Sequence, residues 1–172
     1  MAVSSSRSAG VLEALPLQAC TPSPFAEGIA AALAASDPRG PYFVSPPVDG
    51  WTLVVGNGLP PPENDPPPSY AWLERLSRTL GVDAYLFSTD RVSEHHAWAY
   101  AENGSLTRAF AIVMGDVVTS RGRAAPTERA YTTPRTAIDE EVVLALADEW
   151  TIDPRELEGR ELGDGWIVRF SL

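Results

Sequence analysis

The chain has no lysine, one cysteine and two histidines among its 172 residues. Because Cys20 is alone, an intrachain disulfide and a cysteine-based metal site are both excluded, and a reducing compartment fits. No apolar run approaches the roughly 20 residues that a membrane-spanning helix needs. The opening segment Met1 to Gly10 lacks the continuous apolar core of a secretory leader, and Val11 to Pro16 is too short and broken to supply one. A cytoplasmic protein is expected. Positive charge is scarce, since 13 arginines face 23 carboxylates for a net charge of −10. Such a surface repels phosphate backbones, so neither nucleic acid nor an anionic membrane is an expected partner, and a basic protein is favoured. The missing lysine, beside abundant alanine and proline, reads as the coding bias of a high-GC bacterial genome.

Catalytic signatures are missing as well. There is no Gly-x-Ser-x-Gly elbow, so a hydrolase of that type has no support. Gly56-Asn57-Gly58 follows a strand but runs into prolines, not a helix, and makes neither a dinucleotide fingerprint nor a phosphate loop. Glu63-Asn64-Asp65 matches no calcium loop. Cys20 sits among Ala19, Thr21 and Pro22 with no helix N-terminus to activate it, and is expected to be inert. No catalytic residue, metal or cofactor is assigned.

What the chain does have is a strong hairpin. The stretch Thr89 to Ile112 reads as two strands joined by Asn103-Gly104, and Asn-Gly tolerates the positive φ angles of a type I′ turn. A two-residue loop fixes the register: Glu102 faces Ser105, Ala101 faces Leu106, Ala99 faces Arg108, Trp98 faces Ala109 and Ala97 faces Phe110. The alternation then puts the alanines with Leu106, Arg108, Phe110 and Ile112 on a core face. His96, Trp98 and Tyr100 lie on the other face, as a buried layer or as a recognition row. Arg108 on a core face requires a carboxylate partner, so a structural ion pair is expected.

Elsewhere, Tyr42 to Val44, Trp51 to Val55, Ala84 to Ser88 and Trp166 to Phe170 read as strands. Ser23 as N-cap, with Pro24 at the first helical position, opens a helix that ends at Asp37-Pro38. A second helix covers about Ser69 to Leu80, with Trp72, Leu73, Leu76 and Leu80 inward, and a third covers about Asp139 to Trp150. Asp116 to Arg135 is read as mainly loop. With 44% apolar residues the core is sufficient for one domain at 11–172, preceded by a flexible start at 1–10. The expected fold is α+β: a single antiparallel-dominated sheet of about five or six strands, with about three helices packed mainly on one face.

The small, acidic α+β outline resembles bacterial immunity or accessory proteins in size, charge and class, which implies a protein partner and no enzymatic activity. The candidate binding residues are Glu63 and Asp65 in the proline-bounded loop, together with Trp98, Tyr100, His96 and Arg91. An enzyme or ligand-binding domain using His95 or His96 with nearby arginine and glutamate is the alternative, and a structural subunit of a larger assembly is a third. A two-histidine metal site is disfavoured because adjacent strand residues point to opposite faces. A concave pocket lined by at least two of His95, His96, Glu94, Arg91 and Arg108 would strengthen the ligand-binding alternative.

Overall fold

The computed structural model describes residues 1–5, 8–35, 37, 40–59, 68–133 and 137–170. Among these, the strands are β1 (Ala2–Val3), β2 (Leu17–Ser23), β3 (Tyr42–Val44), β4 (Thr52–Val55), β5 (Ala84–Asp90), β6 (His95–Glu102), β7 (Ser105–Val113), β8 (Asp116–Arg121) and β9 (Gly165–Phe170). They form one nine-stranded sheet in the order β2-β9-β3-β4-β1-β5-β6-β7-β8, with every neighbouring pair antiparallel. The helices are α1 (Ser8–Ala14), α2 (Phe25–Ala34), α3 (Pro68–Leu80), α4 (Pro126–Tyr131) and α5 (Glu140–Trp150). The α+β class holds, but the expectation of five or six strands and three helices does not.

The stretch Asp116 to Arg135, expected to be mainly loop, holds β8 and α4, and the two edge strands leave no apolar pattern in the sequence. β2 contains Pro22 and is largely exposed, and β8 is exposed too; both are sheet edges, where the partner strand's ladder supplies the order that an apolar pattern would otherwise signal. β1 is two residues long within a small, polar stretch, so no periodicity marks it. Within the segment expected to be flexible, Ala2 and Val3 form a buried strand between β4 and β5, and Ser8 begins α1. α2 starts one residue after its expected first position, capped by Pro24 without a side-chain bond, and Ser23 belongs to β2.

Helices cover both faces of the sheet. Val11, Leu73 and Leu76 of α1 and α3 pack with Leu86, Ala99, Ala101 and Ala109 on one face. On the other, Val142, Val143 and Leu146 of α5 pack with Trp98, Phe110 and Ile112. α2 sits on that second face, because Phe25 meets Phe43 edge-on at 5.4 Å while Tyr42 and Val44 point to the α1 and α3 side. The tryptophans tie helices to strands: Trp72 lies 4.4 Å from Phe170, and Trp150 lies 6.1 Å from Phe87.

The hairpin turn forms as its sequence predicts. Asn103 and Gly104 both have positive φ, at 52° and 75°, and Glu102 faces Ser105 and Ala101 faces Leu106. Beyond that pair the register changes. Thr107 has no partner, so Tyr100 faces Arg108, Ala99 faces Ala109 and Trp98 faces Phe110. The extra residue is a β-bulge, and a one-residue slip exchanges the faces of everything past it. Arg108, Phe110 and Ile112 therefore join Trp98 on the α5 face, not the alanine face. The bulge also lies against Gly122, where a Cβ would stand 2.0 Å from the Thr107 carbonyl oxygen.

Candidate functional site

The β5–β6 turn, Arg91 to Glu94, separates two cavities. It begins with Asp90, whose carboxylate accepts hydrogen bonds from the Val92 amide at 2.8 Å and the Ser93 hydroxyl at 2.7 Å. The Ser93 hydroxyl, followed by the Val92 amide, holds the Asp90 carboxyl below its ordinary value of 3.8. Glu94 adopts a positive φ of 47° and its carbonyl accepts from the Met114 amide at 3.2 Å, which docks the β7–β8 turn against this one. Val92 and Met114 are left 95% and 74% exposed, so two apolar side chains stand in water at the same end of the sheet.

The two histidines enter β6 directly after the turn and, as neighbours on a strand, face opposite ways. Both are nearly buried. His96 lines a groove of about 670 Å³ shared with Arg91, Glu94, Ile112, Ile138 and the acidic start of α5. Its Nδ1 lies 2.9 Å from the Thr89 hydroxyl on β5, which fixes the ring. Asp139 caps α5 by accepting from the Val142 amide at 3.2 Å, and Glu140 pairs with Arg91. The groove is thus lined by Glu94, Asp139, Glu140 and Glu141 with one imidazole and one guanidinium, and Glu141 also pairs with Arg155 at 2.9 Å. No serine, threonine, cysteine or lysine lies among the described lining residues, so the groove's chemistry is that of carboxylates and one imidazole: negative charge and proton acceptors.

His95 lines the other cavity, of about 630 Å³, with Ser88, Asp90 and Ser93. The two histidines therefore share no site, as strand alternation requires. Among the described residues no group of three or more metal-ligating side chains comes together.

The predicted binding residues are dispersed. Arg91 and His96 meet in the groove. Trp98 is fully buried, stacked on Phe110 with ring centroids 4.6 Å apart, and serves the α5 interface. Tyr100 is half-buried between Tyr85 and Trp150, and burial pushes its hydroxyl up in pKa. Glu63 and Asp65 lie outside the described residues. Cys20 is on the exposed edge strand, with its thiol raised by desolvation, which does not favour a reactive thiolate. The groove's other carboxylates, at the start of α5, suit the positive end of that helix and so carry no separate signal of a site, and the turn that brings them near His96 leaves none either.

Arg108 has the expected partner. Its Nε donates to both carboxylate oxygens of Glu128 at 3.0 Å, with exposures of 4% and 0% for the two side chains. Its Nη1 donates to Ser120 Oγ at 3.2 Å and to the Arg121 carbonyl at 2.9 Å. This is a saturated structural pair with no capacity left for a ligand.

No family model matches the chain, and comparison with curated proteins and with solved structures finds no match either. Among the described residues no helix is long and apolar enough to cross a membrane.

Proposed function

We propose that this is a protein-binding domain that receives a basic segment of a partner in the groove between the β5–β6 turn and the start of α5. The observation that carries the reading is a concave space lined by His96, Arg91 and four acidic residues, of which Glu140 pairs with Arg91 and Glu141 with Arg155, with exposed Val92 and Met114 at the same end of the sheet. Negative charge in a cleft speeds encounter with a cationic partner and fixes its orientation, and apolar side chains beside it supply contact area. The chain's net charge of −10 acts in the same sense. An immunity or accessory role in the cytoplasm is the biological setting this favours. The proline-bounded loop with Glu63 and Asp65 remains a second acidic contact to test in the same way.

Titration of a hexa-arginine peptide, followed residue by residue by NMR, tests the groove. Amide shifts should concentrate at Arg91, Glu94, His96 and Glu140. The Glu94→Gln, Glu141→Gln double variant should weaken binding about tenfold, mainly through the on-rate, with a smaller effect at high salt. Shifts scattered evenly over the acidic surface, or an unchanged affinity in the double variant, overturn the proposal.

One observation favours a small-ligand reading of the same groove: it is concave and lined by Arg91, Glu94 and His96, three of the residues named for that reading, with the His96 ring held by Thr89. In that case His96→Gln would abolish binding of a small cationic ligand while leaving hexa-arginine affinity nearly intact.

A further inference from the structure

Where α5 ends, at Trp150, the sheet carries four aromatic side chains that are only partly covered. Tyr85 of β5 and Tyr100 of β6 are cross-strand partners, with ring centroids 5.7 Å apart and planes 29° from parallel. Trp51 stands at 76° to Tyr85 with centroids 5.8 Å apart, and Trp150 stands at 75° to Tyr100 with centroids 5.4 Å apart. Each of the four keeps part of its surface in water. The two tyrosines thus make a shallow floor, and a tryptophan lies against each of them.

Two carboxylates adjoin this floor. Asp83 precedes Tyr85 by two residues and Glu102 follows Tyr100 by two, which brings them side by side just past the Ala84–Ala101 pair. Both act on the tyrosines. Burial, then Asp83, then Glu102 push the Tyr85 hydroxyl up to about 12, and burial followed by Glu102 raises that of Tyr100. Among the described residues neither carboxylate pairs with an arginine. Like charges on neighbouring strands repel, and aromatic rings present negative faces, so a cation seated here relieves the repulsion and gains from the rings at once.

We propose that this aromatic face binds an arginine side chain of a basic partner protein, with the guanidinium over Tyr85 and Tyr100 and its N–H groups donating to Asp83 and Glu102. The chemistry selects arginine among cations. A guanidinium is planar, weakly hydrated and carries five donors, so it stacks on a flat aromatic floor and satisfies carboxylates in the same pose. A lysine ammonium is compact and strongly hydrated, and a quaternary ammonium has no donor for the carboxylates. The 11 residues of α5 place this site about 16 Å from the acidic groove at the start of that helix, and it does not rest on the groove's being a binding site.

NMR titration with acetyl-Gly-Arg-Gly-amide provides the test. The arginine δ-methylene protons should move upfield under the ring currents, and the protein's Tyr85 and Tyr100 ring resonances should shift with a saturable Kd of about 1–10 mM. Acetyl-Gly-Lys-Gly-amide should bind at least about fivefold more weakly. Asp83→Asn with Glu102→Gln, which keeps the side-chain shapes, should weaken binding about tenfold at low salt and less at high salt. Tyr85→Phe with Tyr100→Phe keeps the rings and should retain the upfield shift, whereas Tyr85→Leu with Tyr100→Leu should abolish it. The Glu94→Gln, Glu141→Gln variant should bind the peptide unchanged, which separates this site from the groove. No saturable shift at about 50 mM peptide, equal binding of the lysine peptide, tighter binding of tetramethylammonium, or unchanged affinity in the Asp83→Asn, Glu102→Gln variant overturns the proposal.

Discussion

The hairpin β6–β7 is built differently at its two ends. At the turn end α3 holds the backbone: Ser77 Oγ accepts from the Gly104 amide at 3.0 Å, Arg78 donates to the Gly104 carbonyl at 2.7 Å, and Glu74 accepts from the Leu106 amide at 3.0 Å. A few residues on, the bulge delivers Arg108 to Glu128. At the open end, the turns at Arg91–Glu94 and Met114–Gly115 expose Val92 and Met114, and two cavities flank the histidines. Rigid, saturated contacts fix the hairpin at one end, which leaves the other free to present loops, charge and unfilled space.

Removing Glu128 should have the largest effect on this contrast. Glu128→Ala leaves the buried Arg108 guanidinium without its carboxylate and should destabilise the fold by about 3–5 kcal/mol, measured by denaturant unfolding. The double change Arg108→Met, Glu128→Leu should recover most of that loss; if it is as unstable as the single variant, the cost lies in the bulge geometry and not in the orphaned charge. Ser77→Ala, which strips the Gly104 amide of its acceptor, should cost about 1–2 kcal/mol. At the open end, Val92→Ser and Met114→Ser should each change stability by less than about 0.5 kcal/mol, while weakening any partner seated on that end. A large loss of stability from either would show that the open end is also structural.

The smallest effect concerns pH. Asp90 is held below its ordinary value of 3.8 by the Ser93 hydroxyl and the Val92 amide. A depressed carboxyl contributes stability that is fully present above its unfolded pKa and is lost as pH falls through the lower folded value. The Val92 amide resonance should accordingly titrate with a midpoint below 3.8, and Asp90→Asn should abolish that titration. A midpoint above 3.8 would mean that the turn does not hold its carboxylate in solution.

Local chemistry determined much of this protein on its own. Asn103-Gly104 set the turn, and the acidic cap with inward Val142, Val143 and Leu146 set α5. Strand alternation sent His95 and His96 to opposite faces, and the need to compensate a buried charge called for a partner to Arg108. Each depends on a residue's intrinsic φ preference, on a short period or on the cost of an unpaired charge, so each is readable within a few residues. Other features were decided only by contacts between distant segments. Thr107 carries no signal that it will be left unpaired, because the bulge is favoured by Glu128 lying twenty residues away and by the close approach of Gly122. The edge strands β2 and β8 exist because β9 and β7 offer them hydrogen bonds, and β1 because β4 and β5 leave room for it. The groove arises where such distant pieces, the β5–β6 turn and the start of α5, fail to fill the space between them, a property of the assembled sheet that no single stretch of the chain contains.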